Sequence, residues 1–237
     1  MDTTTLGVGL VSIVAAYLIG GIPWGVVLAR IVGGPDPRSQ GSGRTGGANV
    51  LRVLGPRVAA VAAVLDLLKG SIAAILPIVL GAGLVVQGLS VLAAIIGHSR
   101  SPYIGFRGGR GVSPAFGSLI VLWPLVALIT IPVFFGVIRL THYSSLGSLT
   151  ATTLAGVIVV VWVLTQGLPL AHLIYAIGGP ALIWDFHRDN IERRRAGPER
   201  RIDNPTRKAG RRRGRVALGG LDAHGEVDEQ AARHRTP

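Results

Sequence analysis

Long apolar segments alternate with short polar ones along most of this chain of 237 residues. A helix of about 20 apolar residues crosses the hydrocarbon core of a bilayer, so the pattern predicts an all-α integral membrane protein. We predict about seven transmembrane helices, joined by polar cytoplasmic loops and short outer turns. Five of them cover approximately residues 6–32, 56–80, 84–97, 149–164 and 168–184, and the other two lie within residues 112–138.

The apolar segment from Val112 to Ile138 is interrupted by Trp123 and Pro124, which leaves two interpretations. It forms either one kinked helix or two shorter helices joined by a tight turn. We prefer two helices, because the charged residues of the loops then fall on one side of the membrane.

Two of the predicted spans contain features that bear on packing. In the first, Gly20-Gly21-Ile22-Pro23 predicts a kink or the close approach of a neighbouring helix. Residues 1–5 lack the Lys or Arg of a signal peptide, so we expect this helix to be retained. The second span contains Asp66 and Lys69, which share a helical face. We expect them to pair, because an unpaired charge inside a membrane costs several kcal/mol.

Composition supports a membrane domain and excludes some chemistry. Only 15% of the residues are charged, whereas soluble domains carry about 25%. The chain has no cysteine, which excludes disulfides, thiol nucleophiles and Cys-based metal sites. We therefore predict a polytopic membrane domain over residues 1–199, followed by a basic, disordered cytoplasmic tail over residues 200–237.

The net charge of +12 is informative through its distribution. Apart from Lys69, every Lys and Arg lies in three polar loops (33–55, 98–110 and 139–148), in the tail, or at their membrane edges. The turns near Gly81, Trp123 and Gln166 carry none. By the positive-inside rule, the N-terminus is outside the cell membrane, and the loops and tail are cytoplasmic. Beside a bilayer, the Arg-rich tail is expected to contact anionic lipids rather than nucleic acid.

The first polar loop contains a glycine-rich segment, Gly41 to Arg52. Its beginning fits G-x-G-x-x-G, but a membrane span precedes it instead of a strand, so we reject a dinucleotide-binding site. Two interpretations remain, an anion-binding loop and a flexible linker. Arg52 follows Asn49 by three residues and is expected to share its helical face.

The second polar loop contains Phe106 to Gly111, in which Arg107 and Arg110 flank two glycines. Such a turn can present backbone N–H groups and two guanidinium groups to a phosphate. The alternative is that both arginines are ordinary positive-inside charges at the edge of a span. For His98 and His142, the alternative is a hydrated histidine at a helix end.

Several motifs, taken in order, resemble the PlsY family of bacterial acyl-phosphate:glycerol-3-phosphate acyltransferases between about Leu18 and Glu199. Gly41–Arg52 corresponds to the family pattern G-S-G-N-x-G-A-T-N-x-x-R, and Leu65–Gly70 corresponds to L-D-x-x-K-G. Gly97–Ser101 corresponds to G-H-x-F-P, and Phe106–Val112 corresponds to F-R-G-G-K-G-V. The patterns S-S-L-x-S and H-x-x-N-I-x-R followed by G-x-E correspond to Ser144–Ser148 and His187–Glu199.

The chain departs from these patterns at four places. Arg44 replaces Asn, Gly47–Ala48 replaces Ala–Thr, Arg100–Ser101 replaces Phe–Pro, and Arg110 replaces Lys. Arg keeps the charge of Lys but has a planar, bidentate donor geometry. A relative with an altered substrate, or an inactive one, is therefore an alternative to an active enzyme.

The resemblance implies that an acyl group moves from acyl phosphate to the 1-hydroxyl of glycerol 3-phosphate, giving lysophosphatidic acid and phosphate without a cofactor or metal. It implies these catalytic residues: Ser42, Arg52, Arg110, His187 and Asn190. It implies these substrate-binding residues: Gly43, Asn49, Lys69, His98, Arg107, Gly108, Gly109, Ser144 and Ser145. We predict acyl phosphate, glycerol 3-phosphate and membrane lipids as partners, with neither nucleic acid nor an obligate protein partner.

The residues suit this chemistry. An acyl phosphate has a good leaving group, so positioning and charge stabilisation can suffice without an enzyme nucleophile. His187 is the candidate general base, although a substrate phosphate oxygen could also accept the proton. An apolar groove between spans would hold the acyl chain.

A transporter or binder of an anionic lipid or phosphorylated solute is the rival function, because it would use the same basic loops. Transporters bind their substrates near the midplane of the bilayer. Here the polar residues cluster at one membrane edge, and only Asp66 and Lys69 lie deeper. The pattern therefore favours the enzyme.

Overall fold

The computed structural model describes residues 3–197 and 201–202, and the regular structure in these ranges is entirely helical. The predicted all-α fold is confirmed. The predictions for the tail concern residues that lie, apart from Arg201 and Ile202, outside the described ranges. The α-helices of the described part are α1 (Thr3–Gly21), α2 (Trp24–Ile31), α3 (Gly47–Leu54), α4 (Pro56–Val79), α5 (Leu84–Ser99), α6 (Val112–Leu122), α7 (Pro124–Thr141), α8 (Ser144–Thr165), α9 (His172–Phe186) and α10 (Arg188–Arg195).

Helices occur at all seven predicted spans, but the count of seven spans is not confirmed. Within the described residues, α4, α5 with the turn after it, α7 and α8 are long and apolar enough to cross a membrane. Counting α1 and α2 as one bent span makes five. At about 1.5 Å per residue, the 11 residues of α6 and the 15 of α9 fall short of the hydrocarbon thickness of about 30 Å.

The predicted breaks in the apolar segments are confirmed. Helix α6 ends at Leu122 and α7 begins at Pro124, so the segment from 112 to 138 is two helices. The first span bends by 41° between α1 and α2. A β-carbon on Gly20 would overlap the backbone of Ala94, so α1 and α5 pack backbone to backbone. Both consequences expected of the Gly-Gly-Ile-Pro segment are therefore present.

Hydrogen bonds from side chains join other pairs of helices at close range. Helix α4 packs on α6, where Ser118 Oγ donates to Gly70 O over 3.0 Å and Ser71 Oγ donates to Gly117 O over 2.9 Å. Helix α8 packs on α9, where Trp184 Nε1 donates to Thr153 Oγ1 over 3.0 Å. Such contacts are typical of membrane helices, because lipid provides no hydrophobic force that would push helices together.

The polar loops differ from their predicted extents. The C-terminal third of the first loop is helix α3, which carries Asn49 and Arg52. The third loop, predicted over residues 139–148, is wrong in extent, because only His142 and Tyr143 lie between α7 and α8. His142 adopts a left-handed backbone (φ 64°) that ends α7 at once. Its carbonyl accepts the N–H of Ile202 over 2.9 Å.

Candidate active site

The two glycine-rich loops, both predicted to be cytoplasmic, meet in the structure. A β-carbon placed on Gly46 would lie 3.8 Å from the α-carbon of Gly109. The first loop also packs on α2, because a β-carbon on Gly25 would come within 2.5 Å of Thr45 O. The motif residues of both loops are therefore held at the same end of the helical bundle.

Asn49 organises the first loop from inside. Its side chain is only 2% exposed. Its Oδ1 accepts the N–H of Ser42 over 2.9 Å, and its Nδ2 donates to Pro37 O and Arg44 O over 2.7 and 2.9 Å. Because the amide group is fully used by the loop backbone, Asn49 shapes the loop and presents no free donor to a substrate.

The backbone N–H groups of three loop glycines are also engaged internally. Gly43 donates to Gln40 O over 3.1 Å. Gly108 donates to Ser99 O over 3.1 Å, and Gly109 donates to His98 O over 3.0 Å. Together with the N–H of Ser42, these groups had been expected to cradle a phosphate. In this structure these four N–H groups stabilise the loops, so none of them is free to bind a phosphate.

His98 explains why glycine occurs at 108 and 109. A β-carbon on Gly108 would overlap the His98 carbonyl, and one on Gly109 would overlap the imidazole. The His98 side chain is buried, and its Nδ1 lies 3.6 Å from Asp66 Oδ1. His98 therefore supports the second loop from below and is covered by it.

The predicted pairing of Asp66 and Lys69 is confirmed. Their Oδ1 and Nζ atoms are 2.8 Å apart, and both side chains are at most 3% exposed. Lys69 Nζ also donates to Ile22 O over 2.8 Å, at the bend between α1 and α2. Pairing is needed because a lone buried charge is strongly destabilising. Lys69, predicted to bind substrate, is buried in this structure and contacts Asp66 and the carbonyl of Ile22.

Three arginines converge on one carboxylate oxygen in the described part of the chain. The Nη2 atoms of Arg110 and Arg193 lie 2.9 and 3.0 Å from Asp189 Oδ2, and Nη2 of Arg44 lies 3.9 Å from it. Burial opposes ionisation of Asp189, but the charge of Arg110 and its hydrogen bond outweigh this effect and hold the pKa of Asp189 below its ordinary value. Three guanidinium groups and one carboxylate leave this arginine cluster with a net charge of +2.

The arginine cluster retains unused hydrogen-bonding capacity. Arg110 Nε, Arg193 Nε and Asp189 Oδ1 are buried and have no hydrogen-bond partner within the described residues. Buried polar atoms are normally paired, so such atoms indicate a place for a ligand or water.

His187 lies beside this cluster, at the end of α9, and is only 2% exposed. Its Nδ1 is 2.7 Å from Ile183 O. Because a carbonyl oxygen can only accept, Nδ1 carries the proton and Nε2 is left as an acceptor. Burial, followed by the positive charge of Arg110, lowers the pKa of His187 to about 4. The imidazole is therefore neutral near pH 7.

The remaining predicted residues lie on several different elements of the chain. Arg107 is exposed, so the two arginines of the second loop diverge. Arg52 is half-buried in the last turn of α3, and Asn190 is half-buried in α10, where its N–H donates to His187 O over 2.8 Å. Ser144 and Ser145 begin α8.

The sequence prediction missed the centre of the arginine cluster. Asp189 was not singled out, Arg44 was noted only as a departure, and Arg193 only as part of a motif. The i,i+4 spacing of Asp189 and Arg193 is a helical ion-pair signal that could have indicated the pair. Arg44 gave no comparable signal, because it is 145 residues from Asp189 along the chain.

One small apolar cavity lies between α6, α8 and α9, bordered by Phe116, Thr152, Tyr175 and Ile183. Its volume of about 20 Å³ suits about one water molecule. It is much too small for an acyl chain, so the predicted groove for that chain is not this cavity.

Comparisons with known proteins agree with the family resemblance of the motifs and with the helical membrane fold. The family model described as glycerol-3-phosphate acyltransferase matches residues 10–197. A glycerol-3-phosphate acyltransferase 3 of Dehalococcoides mccartyi is 38% identical over 210 residues, covering 84% of this chain and 97% of the relative. The glycerol-3-phosphate acyltransferase of Thermus thermophilus is 41% identical over 191 residues, covering 81% and 94%.

Two solved structures are also similar to this chain. Both are crystal structures of PlsY, an integral membrane glycerol 3-phosphate acyltransferase. The glycerol 3-phosphate form has 37% identity and a TM-score of 0.74, covering 81% of this chain and 94% of that one. The lysophosphatidic acid form has 35% identity and a TM-score of 0.72, with the same coverage.

Proposed function

The chain belongs to the glycerol-3-phosphate acyltransferase family of integral membrane proteins, and we propose that it transfers an acyl group from acyl phosphate to the 1-hydroxyl of glycerol 3-phosphate. The products are lysophosphatidic acid and phosphate, so the reaction belongs to phospholipid synthesis. Related structures in glycerol 3-phosphate and lysophosphatidic acid forms support this acceptor and this product.

One observation carries the proposal: the arginine cluster lies beside a neutral, buried histidine where the two glycine-rich loops meet. Both substrates are phosphorylated, and guanidinium groups bind phosphate oxygens through charge-assisted hydrogen bonds. The net charge of +2 concentrates anions at this end of the bundle. The excess charge and the neutral imidazole are what an acyl transfer between two anions requires.

The reaction needs no covalent intermediate with the enzyme. The 1-hydroxyl oxygen of glycerol 3-phosphate attacks the acyl carbon, and an ester bond forms. The bond between the acyl carbon and the phosphate oxygen breaks, and phosphate leaves with the electron pair. Arg110 and Arg44 stabilise the negative charge that grows on the leaving phosphate, and they also position the donor.

The hydroxyl proton is lost to a substrate phosphate rather than to His187. A pKa of about 4 makes the imidazole a weak base, whereas the second pKa of a phosphate group is about 6. With its proton on Nδ1, His187 offers Nε2 as a hydrogen-bond acceptor that orients the hydroxyl. Asn190, one turn along, assists in this orientation. Ser42 and Arg52 keep the direct roles expected from the sequence.

Other predicted residues act indirectly in this proposal. Asn49 shapes the first loop, and Lys69, with Asp66, braces the helices beneath His98. His98, Gly108 and Gly109 set the position of the loop that carries Arg110. Ser144 and Ser145 remain candidates for substrate contact.

The active-site loops face the cytoplasm and the N-terminus is outside the cell membrane. The charge distribution supports this orientation, because Lys and Arg are concentrated in alternate polar segments. In this proposal the acyl chain lies against the apolar surface of the helices, and the internal cavity of about 20 Å³ is too small to contain it.

The test is an assay of the full-length protein, purified in detergent, with acyl phosphate in the presence and absence of glycerol 3-phosphate. We expect phosphate release that depends on glycerol 3-phosphate, with lysophosphatidic acid identified by mass spectrometry. The variant Arg100→Ala serves as a control and should keep this activity, because Arg100 is exposed near the second loop. Absence of turnover by folded wild-type protein would overturn the proposal and leave an inactive relative or an anion binder.

A further inference from the structure

Asp189 occupies the middle of the site where the proposed function requires a phosphate. Its Oδ2 atom is within 3.0 Å of Nη2 on both Arg110 and Arg193. The side chain is 28% exposed and lies in the first turn of α10, two residues after His187. A carboxylate therefore takes the interaction that a phosphate oxygen would make with the same guanidinium groups.

The charge balance explains what this carboxylate does for the arginines when no phosphate is bound. Three neighbouring guanidinium groups repel one another, and burying them without an anion is costly. Asp189 compensates one charge and leaves the remaining +2 uncompensated. A phosphate group carries about −1.5 to −2 near pH 7, so it matches the remainder. The buried and unpartnered Nε atoms of Arg110 and Arg193 are further donors available to it.

We propose that Asp189 is an internal counter-ion that stands in for a substrate phosphate and is displaced from Arg110 when phosphate binds. The proposal rests on the proposed function, because it concerns the same site. Asp189 keeps the arginines together when no phosphate is bound and weakens phosphate binding by competing for them. It thereby also helps the phosphate product to leave.

Arg44 makes this counter-ion more important. It is the third guanidinium, 3.9 Å from Asp189 Oδ2, at a position where the resemblance pattern has Asn. Without Asp189, the additional charge would strengthen binding of the substrate phosphate and of the product phosphate alike. A site with strong binding and slow release turns over slowly.

A purely structural role for Asp189 makes the opposite prediction. If the carboxylate only fixes Arg110 in a binding geometry, removing it scatters the arginines and weakens phosphate binding. If it competes with phosphate, removing it strengthens binding. The direction of the change in affinity therefore separates the two roles.

The experiment measures binding of inorganic phosphate, and separately of glycerol 3-phosphate, by calorimetry on the full-length protein in detergent. For Asp189→Asn we expect about tenfold tighter binding of inorganic phosphate, a lower KM for glycerol 3-phosphate and a lower kcat. Asp185→Asn is the matched control, because it removes a carboxylate from the nearby exposed pair with Arg188. This control should change affinity by less than twofold. Asp189→Glu, which keeps the charge, should bind phosphate as the wild type does.

Unchanged or weaker phosphate binding by folded Asp189→Asn would overturn the proposal. Asp189→Ser is a second neutral variant, and failure of both to fold would make Asp189 a structural residue and also overturn it. Binding is measured without an acyl donor, so its result is independent of turnover. An active wild type with no gain in Asp189→Asn refutes only the counter-ion, whereas an inactive wild type with tighter binding in Asp189→Asn refutes only the proposed function.

Discussion

The imidazole of His98 lies directly against Gly109, so that a β-carbon at position 109 would overlap its Nε2 atom. The same two residues are joined by the hydrogen bond from the Gly109 N–H to His98 O, 3.0 Å long. Because His98 also approaches the buried Asp66, this contact connects the interior of the bundle to the loop that positions Arg110. The loop geometry is therefore set from within the membrane domain.

Gly109→Ala should disturb the site through this contact. The added methyl group must displace either the His98 ring or the loop, and we expect kcat/KM to fall at least tenfold, or about 1.4 kcal/mol in the transition state. Combining it with His98→Ala removes the overlapping ring and should recover part of the loss. A Gly109→Ala variant with wild-type activity would show that the loop position is unimportant.

The two arginines of the second loop should differ in their contributions. Arg110 lies in the arginine cluster, whereas Arg107 is exposed. We expect Arg110→Ala to lower kcat/KM at least tenfold through the loss of charge-assisted bonds, and Arg107→Ala to lower it less than threefold. Steady-state kinetics with varied acyl phosphate check this. A comparable loss in both variants would indicate that Arg107 turns inward when substrate binds.

The stability of the protein should fall in mild acid because of His187. Burial and then Arg110 hold its folded pKa at about 4, whereas an unfolded histidine has a pKa of about 6.5. The unfolded state therefore binds more protons between these values. The neutral His187 makes its full contribution to the free energy of unfolding above about pH 6.5. As the pH falls toward 4, this contribution, on the order of 3 kcal/mol, is lost.

Thermal unfolding of the detergent-solubilised protein between pH 7.5 and 4.5 measures this effect. His187→Gln should flatten part of the pH dependence, whereas the exposed His142→Asn should not. Asn is chosen at 142 because it tolerates the left-handed backbone there. Equal pH profiles for wild type and His187→Gln would contradict the assignment.

Lys69 and Asp66 should be strongly coupled. Lys69→Met leaves the Asp66 carboxylate buried without its ion pair, and we expect a loss of about 3–5 kcal/mol. Asp66→Asn combined with Lys69→Met removes both charges and should restore most of the stability. Leu68→Met is the control, because Leu68 is in the same helix and its side chain is 50% exposed. Unfolding midpoints in detergent check the series, and additive losses would refute the coupling.

The orientation in the membrane can be tested without background, because the chain has no cysteine. Single cysteines at Ala82 and Ala196 lie in an outer turn and after α10 in the proposed topology. A membrane-impermeant maleimide applied to intact cells should label Ala82→Cys, whereas Ala196→Cys should react only after lysis. Labelling of both in intact cells would show that the two positions share the outer face.

The sequence by itself determined the helical membrane fold, the breaks at Gly20–Pro23 and Trp123–Pro124, and the Asp66–Lys69 pair. These features depend on residues close together in the chain: apolar runs long enough for a helix, helix-breaking dipeptides, and an i,i+3 spacing. The motifs were readable for the same reason. The number of complete spans could not be predicted from the sequence, because hydropathy does not separate a short apolar helix from one that crosses the bilayer.

Only the tertiary structure decided what the motif residues do. Gly108 and Gly109 looked like a phosphate cradle, but their N–H groups belong to His98 and Ser99. Arg110 and Asp189 are 79 residues apart in the chain and meet at 2.9 Å. Whether a long, flexible side chain contacts solvent or a charged partner depends on the charge and burial around it. This environment forms only when distant segments of the chain pack together. For that reason the packed helices, and not the motif spacing, separated Arg110 from Arg107 and placed Asp189 among three arginines.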